Sequence, residues 1–340
     1  MNGSRALVAA WLLFIGTSFS TLAQAPVKVK LRPEVEQFIA HMQRKHQFDE
    51  EALRQMFSQL QTHEGVVKAI NAPSTSKPWH EFKTIFVTPT RTSAGVTFWN
   101  ENAELLKRAR DVYGVPEEIV VAIIGVETIY GKRTGSFRVI DALYTLGFDV
   151  PRRADYFRAE LEQFLLLARD NSLDALEVKG SFAGAMGLPQ FMPTSYRSFA
   201  VDFDSDQRIN LWDNLADVIG SVANYLHHFG WVAGQPIVLP ARVNGARHQE
   251  ILDLGFKPHM PLGKMMSNGI ESTLPVPEEL PASLFVLEGE QGQEYWLALN
   301  NFYVITRYNH SKNYAMAVFQ LAEAIARERG SVSAAQVANP

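Results

Sequence analysis

The chain has 340 residues, 46% of them hydrophobic, a net charge of −4 and no cysteine. This is ample apolar material for a core and long enough for two or three domains. The mild acidity without a basic block argues against nucleic acid as the main partner. The missing cysteine excludes disulfides, a thiol nucleophile, zinc–thiolate centres and a lipidated cysteine anchor.

Residues 1–25 have the pattern of a secretory signal peptide: Arg5, a mostly apolar run over 6–19, then small residues ending in Ala23-Gln24-Ala25. The run is short for a membrane span, and Pro26 after the cut allows cleavage a residue or two earlier. Residues 30–70 read as helical. Pro33 and the acids behind it open a helix with Val35, Phe38, Ile39 and Met42 on one face. Asp49 and Glu50 precede a second, carrying Leu53, Met56, Phe57 and Leu60. Residues 72–78 are a loop by composition, and 79–86 are aromatic enough to line a groove or simply pack. Residues 100–113 are amphipathic, and Gly114 ends that helix. Pro116, Glu117 and Glu118 start the next one, which is expected to run to about Tyr130 with Gly131 as its stop. Further helices are expected at 161–169 and 217–229.

From about residue 234 the texture changes. Segments 236–240, 284–288, 294–299 and 302–306 look like short strands, and Glu288-Gly289-Glu290-Gln291-Gly292 fits a hairpin turn. Residues 314–329 return to helix, and 330–340 look like a frayed tail. The fold class expected is mainly α (α+β), with a small β insertion late in the chain.

Three segments carry candidate chemistry. Glu127 is a lone carboxylate behind the apolar run 120–126, in the last turn of its helix. Burial and the negative end of the helix dipole both push its pKa up. An acid protonated near neutral pH can cleave a glycosidic bond; a core glutamate satisfied by hydrogen bonds fits the same segment. Residues 179–195 form the second block. Gly180, Ser181, Ala183, Gly184, Ala185 and Gly187 allow close approach to the backbone. Ser181 and Gln190 can bond sugar hydroxyls or amides, and Met186, Phe191 and Met192 offer apolar contact; a tightly packed loop has the same composition. The third segment, 202–213, approximates an EF-hand loop. It has Asp202, Asp204 and Asp206 at the first, third and fifth positions, Arg208 offering its carbonyl, Asn210 at the ninth and Asp213 at the twelfth. Gln207 stands where glycine is usual and Asp213 where glutamate is, so a solvated acidic turn is the competing reading. The nine histidines show no ligand cluster, and His227 and His228 point to different helix faces.

The ordered pair Glu127-Thr128-x-Tyr130-Gly131 and Gly180-Ser181-Phe182-Ala183-Gly184-Ala185-Met186-Gly187-x-x-Gln190-Phe191-Met192-Pro193 resembles the lytic murein transglycosylases of type B, family 3. The resemblance is dense over 79–231, resumes over 300–326, and weakens before 70 and through the β insertion. It implies a lysozyme-like catalytic core and cleavage of the MurNAc-β-1,4-GlcNAc bond of peptidoglycan, with formation of a 1,6-anhydro muramyl product. Glu127 matches the family's single acid/base, with no catalytic cofactor. Ser181 and Gln190 match residues that contact the N-acetyl and sugar groups. Arg152 and Arg153 match arginines suited to murein carboxylates. Tyr156 and Tyr225 match cleft tyrosines; Tyr308, Asn309 and Tyr314 match the far wall. In the family the acidic loop is slightly longer and closes on a later acid, here Asp217; the loop pattern points to a structural calcium ion, with sodium or an empty site as alternatives.

The organisation expected is a signal peptide over 1–25, an N-terminal helical domain over 26–105 and a lysozyme-like core over 106–233 and 300–329. An EF-hand-like loop occupies 202–217, a small β domain 234–299 and a tail 330–340. The partner implied is the glycan strand, with cell-wall synthesis or remodelling proteins as further candidates, for a monomer in the periplasm. A muramidase and a non-catalytic murein-binding scaffold are the rival readings. Asp141 and Asp155 read as surface or structural acids.

Overall fold

The computed structural model describes residues 30–71, 77–245 and 247–338. The expected signal segment lies outside the described residues, as does most of the loop expected at 72–78. In chain order the elements are α1 (Pro33–His46), α2 (Glu50–Phe57), α3 (Glu64–Asn71), α4 (Trp79–Phe86), α5 (Pro89–Glu101), α6 (Ala103–Tyr113), α7 (Glu117–Thr128), β1 (Phe137–Arg138), α8 (Val139–Asp149), α9 (Ala154–Asp170), β2 (Lys179–Gly180), α10 (Pro193–Phe199) and α11 (Leu215–His228). There follow β3 (Val238–Val243), α12 (His248–Leu252), β4 (Met260–Pro261), α13 (Leu262–Met266), β5 (Ile270–Ser272), β6 (Pro281–Gly289), β7 (Gly292–Ala298), α14 (Asn300–Tyr308) and α15 (Lys312–Ala338).

The centre of the molecule is α7. Its residues are apolar on every side, so it is stable only inside a ring of other helices. All of it is buried except Glu118 and Glu127. The long α15 runs along α7 and α5, while α11 packs against α6 and α7. The buried side chains of α1 to α5, among them Phe38, Phe57, Trp79 and Phe82, join the same continuous core as Ile123 and Phe164. Trp79 and Phe82 therefore pack, and Trp79 also borders a surface hollow together with His80, Lys83 and Thr84.

The β unit has its own smaller core, around Leu239, Ile251, Met265, Leu284 and Leu297. Its five strands are antiparallel in the order β4-β6-β7-β3-β5. The hairpin expected at 288–292 is present, with Gly289 opposite Gly292 across a two-residue turn. A second, very short sheet pairs β1 with β2, Phe137 opposite Gly180. That pairing holds the small-residue block beside the end of α7. A Cβ on Gly135 would lie 2.0 Å from the Gly180 carbonyl oxygen, so only glycine allows the two backbones to cross there.

Three expectations are corrected. Residues 302–306 are not a strand but the middle of α14. Phe302, Val304, Ile305 and Thr306 are all completely buried, and a short helix buried on most sides carries the same apolar run as a strand. Asn301 pins it: its oxygen accepts from the Val232 N–H, and its amide donates to the Val232 and Gln235 carbonyls. The expected tail at 330–340 is helical as far as Ala338, where α15 ends. Finally, α7 stops at Thr128, ahead of Gly131.

Candidate active site

The early stop of α7 shapes the site. Ile129, Tyr130 and Gly131 all take left-handed φ values, 54°, 57° and 87°. A β-branched residue there is strained. The conformation folds Tyr130 back so that its hydroxyl donates to the Arg91 carbonyl at 3.1 Å. Thr128 clasps the turn. Its hydroxyl donates to the Leu188 carbonyl at 3.0 Å and accepts from the Gly131 N–H at 3.0 Å. The end of α7 is thereby tied to the small-residue block.

Glu127 sits at this tied end. Atoms enclose its carboxyl group on most sides, yet the residue keeps a partial opening to solvent. Burial pushes its pKa up to about 7, against a smaller lowering by Tyr314. The Tyr314 hydroxyl donates to Glu127 Oε1 at 2.6 Å. Among the described residues, no second carboxylate contributes to the shift of Glu127. Asp141 is engaged elsewhere, accepting from Arg138, His63 and the Gln61 N–H. Asp155 is exposed and paired with Arg158.

An aromatic wall leads away from the acid. Tyr314 stacks with Tyr308 at 6.4 Å and 10° between planes. Tyr308 packs on Tyr225 and Phe191. The hydroxyl groups of two of these residues have inward partners: Tyr308 donates to the Pro189 carbonyl and Tyr225 to the Arg307 carbonyl. Tyr225 and Tyr314 are both buried within this wall. Asn309 is exposed at the corner between α14 and α15. Arg152 and Arg153 are exposed in a single 3-10 turn before α9, and Arg153 lies 4.8 Å over the half-exposed Tyr156 ring.

Opposite stands the small-residue block. Ser181 Oγ accepts from the Ala183 and Ala185 N–H groups at 3.2 and 3.0 Å. Gln190 is left-handed, with φ 50°. Its amide nitrogen donates to the Thr134 and Gly187 carbonyls, which leaves its oxygen to accept. A surface hollow of about 640 Å³ between α4 and the β6–β7 turn is lined by Lys83, Glu290 and Glu294 and does not include Glu127.

Residues 30–323 match the family described as transglycosylase SLT domain. The chain belongs to this family of lytic murein transglycosylases. Escherichia coli membrane-bound lytic murein transglycosylase B is 47% identical over 307 residues, covering 87% of this chain and 84% of that protein. Soluble lytic transglycosylase SltB1 from Pseudomonas aeruginosa superposes with a TM-score of 0.82 at 49% identity, covering 88% of this chain and all of that one. The Escherichia coli lytic transglycosylase Slt35, solved in complex with calcium, gives 0.80 at 46%, covering 87% of this chain and 94% of that one. The mainly helical, lysozyme-like architecture expected from the sequence is thus the observed one.

Three acids of the loop over 202–217 converge in the transglycosylase. Oxygens of Asp202, Asp204 and Asp217 come within 4.8 Å of one another. Asp217, fully buried at the start of α11, accepts from the Phe203 and Asn210 N–H groups at 2.8 Å. Burial raises its pKa, and the neighbouring Asp204 and Asp202 add to that. Three acids held this close repel one another unless a cation intervenes. Gln207 adopts φ 72° where an EF-hand loop usually has glycine. Asp213 does not join the group: the Asn210 side chain caps the Trp212 and Asp213 N–H groups and turns Asp213 outward. Asp206 accepts from the Arg208 N–H and is not among the three converging acids.

Thr128, Tyr130 and Asn214 are structurally central here and were not singled out from the sequence. Asn214 caps α11 and donates to Asp204 Oδ2 at 2.9 Å, joining the loop to the helix. Thr128 and Tyr130 lie inside the motif around Glu127, which was the available signal. Ser181→Ala in the transglycosylase leaves two loop N–H groups without their acceptor. It is expected to lower stability by about 1–3 kcal/mol, read as a falling melting temperature together with a raised KM.

Proposed function

We propose that Glu127 cleaves the MurNAc-β-1,4-GlcNAc bond of peptidoglycan as acid and then as base, forming a 1,6-anhydro muramyl end. Protonated Glu127 donates to the glycosidic oxygen as the C1–O bond breaks, and the bonding pair leaves with that oxygen. The N-acetyl group of the same muramyl residue stabilises the anomeric cation, the substrate-assisted alternative to a second carboxylate. The Glu127 carboxylate then takes the C6 hydroxyl proton as O6 bonds to C1. The acid is regenerated and no water is consumed. Tyr314, donating to Oε1, stabilises the carboxylate between the two halves. The observation that carries this reading is one buried acid, protonated to about pH 7, whose shift shows no contribution from a second carboxylate.

In this reading the Gln190 oxygen and the Ser181 hydroxyl meet the N-acetyl and sugar groups. The Tyr308–Tyr314 stack flanks the sugar rings, and Asn309 contacts them from the far side. Arg152 and Arg153, beside Tyr156, take carboxylates of the peptide stem or lactyl group. Tyr225 supports that wall. In this reading the β unit over 234–299 is a small domain with its own core, while the N-terminal helices share one core with the catalytic part and the expected boundary at 105 falls inside α6. The substrate lies outside the cytoplasmic membrane, so the chain is exported to the periplasm, and residues 1–25 are suited to direct it there. Among the described residues no helix is long and apolar enough to cross a membrane.

The test is digestion of purified sacculi followed by borohydride treatment of the products. An anhydro end has no hemiacetal and resists reduction; reducible muramyl ends would establish a muramidase instead, and intact sacculi a scaffold.

Calcium held by Asp202, Asp204 and Asp217 would serve the fold, not the reaction; the calcium complex of Slt35 supports this choice of ion. Adding calcium to chelator-treated protein is expected to raise the melting temperature by roughly 3–6 °C at a hundredfold excess over the dissociation constant. Asp217→Asn should remove most of that rise. A melting curve indifferent to calcium would overturn the assignment.

A further inference from the structure

The histidines form no cluster along the sequence, but folding makes one. His41 and His46, at the end of α1, both reach Glu162 in the middle of α9. His41 Nε2 lies 2.8 Å from Oε2, and His46 Nε2 lies 2.7 Å from Oε1. Ligand-capable atoms of the three side chains lie within 4.8 Å of one another. We propose that His41, His46 and Glu162 form a site for a divalent transition metal, of the zinc class, at the seam between α1 and α9.

The donor set decides the class of ion. Two imidazole nitrogens and one carboxylate suit zinc, copper or nickel, whereas calcium and magnesium take oxygen donors. In a tetrahedral zinc centre with bonds near 2.0–2.1 Å, ligand atoms stand about 3.3 Å apart. The two histidine–carboxylate separations, 2.8 and 2.7 Å, fall about half an ångström short of that value, so the side chains need only open slightly to admit the ion. Glu162 is only 13% exposed and His46 17%, which holds two of the ligands in place. A hollow of about 400 Å³ opens beside His41 and Glu162, bordered by Glu34, Asp155 and Arg158. It leaves room for water as the remaining ligand.

One group opposes the metal. Lys45 Nζ lies 3.0 Å from Glu162 Oε1. Its side chain is 57% exposed, so it can swing into solvent when the ion enters. Bound, the ion would cross-link α1 to the helix that begins beside Arg152 and Arg153, far along the chain from the acidic loop.

The test is titration of the full chain with zinc chloride, with calcium saturating the acidic loop throughout. One zinc should bind per chain with a dissociation constant on the order of micromolar. The melting temperature should rise by about 3–6 °C at a hundredfold excess. His46→Ala and Glu162→Gln should weaken binding by roughly tenfold or more, and Lys45→Ala should tighten it. His41→Asn replaces a more exposed side chain and serves as the second variant should the others fail to fold. Absence of zinc binding, or binding unchanged in His41→Asn, overturns the proposal and leaves two histidines hydrogen-bonded to a glutamate.

Discussion

Glu127→Gln lowers turnover on murein by about 10²–10⁴-fold, while making the protein more resistant to heat above neutral pH. Both effects come from one cause. The folded protein raises the Glu127 pKa from 4.5 to about 7 because burial penalises the carboxylate. Below pH 4.5 the group is protonated whether folded or unfolded, and no penalty exists. As pH rises through the window from 4.5 to 7, the unfolded chain releases its proton first, and folding stability falls. Above that window the full shift would cost up to about 3 kcal/mol. The opening to solvent screens part of this, leaving ~2 kcal/mol. Glutamine has the same shape and never ionises. The variant should therefore match the parent near pH 5 and melt roughly 3–5 °C higher at pH 8. Equal melting temperatures at pH 8 would mean that Glu127 is not held protonated.

Tyr314→Phe moves the pH dependence in the direction that its hydrogen bond dictates. The hydroxyl donates to Glu127 Oε1 and favours the ionised acid. Without it the Glu127 pKa rises further. The parent enzyme loses kcat/KM as pH rises past about 7, where the free acid ionises; the phenylalanine variant should hold its rate to higher pH. At the optimum it should still be slower, because the carboxylate between the two proton transfers loses a donor. Hydrogen bonds to charged groups contribute about 1.5–3 kcal/mol, which corresponds to roughly 10–100-fold in kcat. A variant that changes KM alone, with an unmoved pH limb, would make Tyr314 only a sugar contact.

What could be read from the sequence follows physical lines. A helix apolar all round had to lie at the centre, and a carboxylate at its end had to be perturbed, so Glu127 was legible. The hairpin at Gly289 and Gly292 was legible because turn chemistry is local. The stop of α7 was not: Ile129 and Tyr130 take left-handed conformations that favour glycine, and tertiary contacts at Thr128 and Tyr130 impose them. Residues 302–306 were misread because a helix buried on most sides loses the polar face that betrays its period. Asp217 closes the acidic loop in place of Asp213 because the Asn210 cap turns the nearer acid outward. The meeting of His41, His46 and Glu162 depends on two helices separated by more than a hundred residues, and no local pattern encodes that.

The central claim is that the substrate, not water, supplies the nucleophile to a site with a single acid. Digesting murein in water enriched with oxygen-18 and weighing the muramyl products tests it most directly. The account predicts anhydro products, about 20 mass units lighter than the form hydrolysed by the labelled water, with no heavy oxygen incorporated during cleavage. Reducing ends carrying one oxygen-18 at C1 would contradict it and require a second group, near Glu127, that activates water.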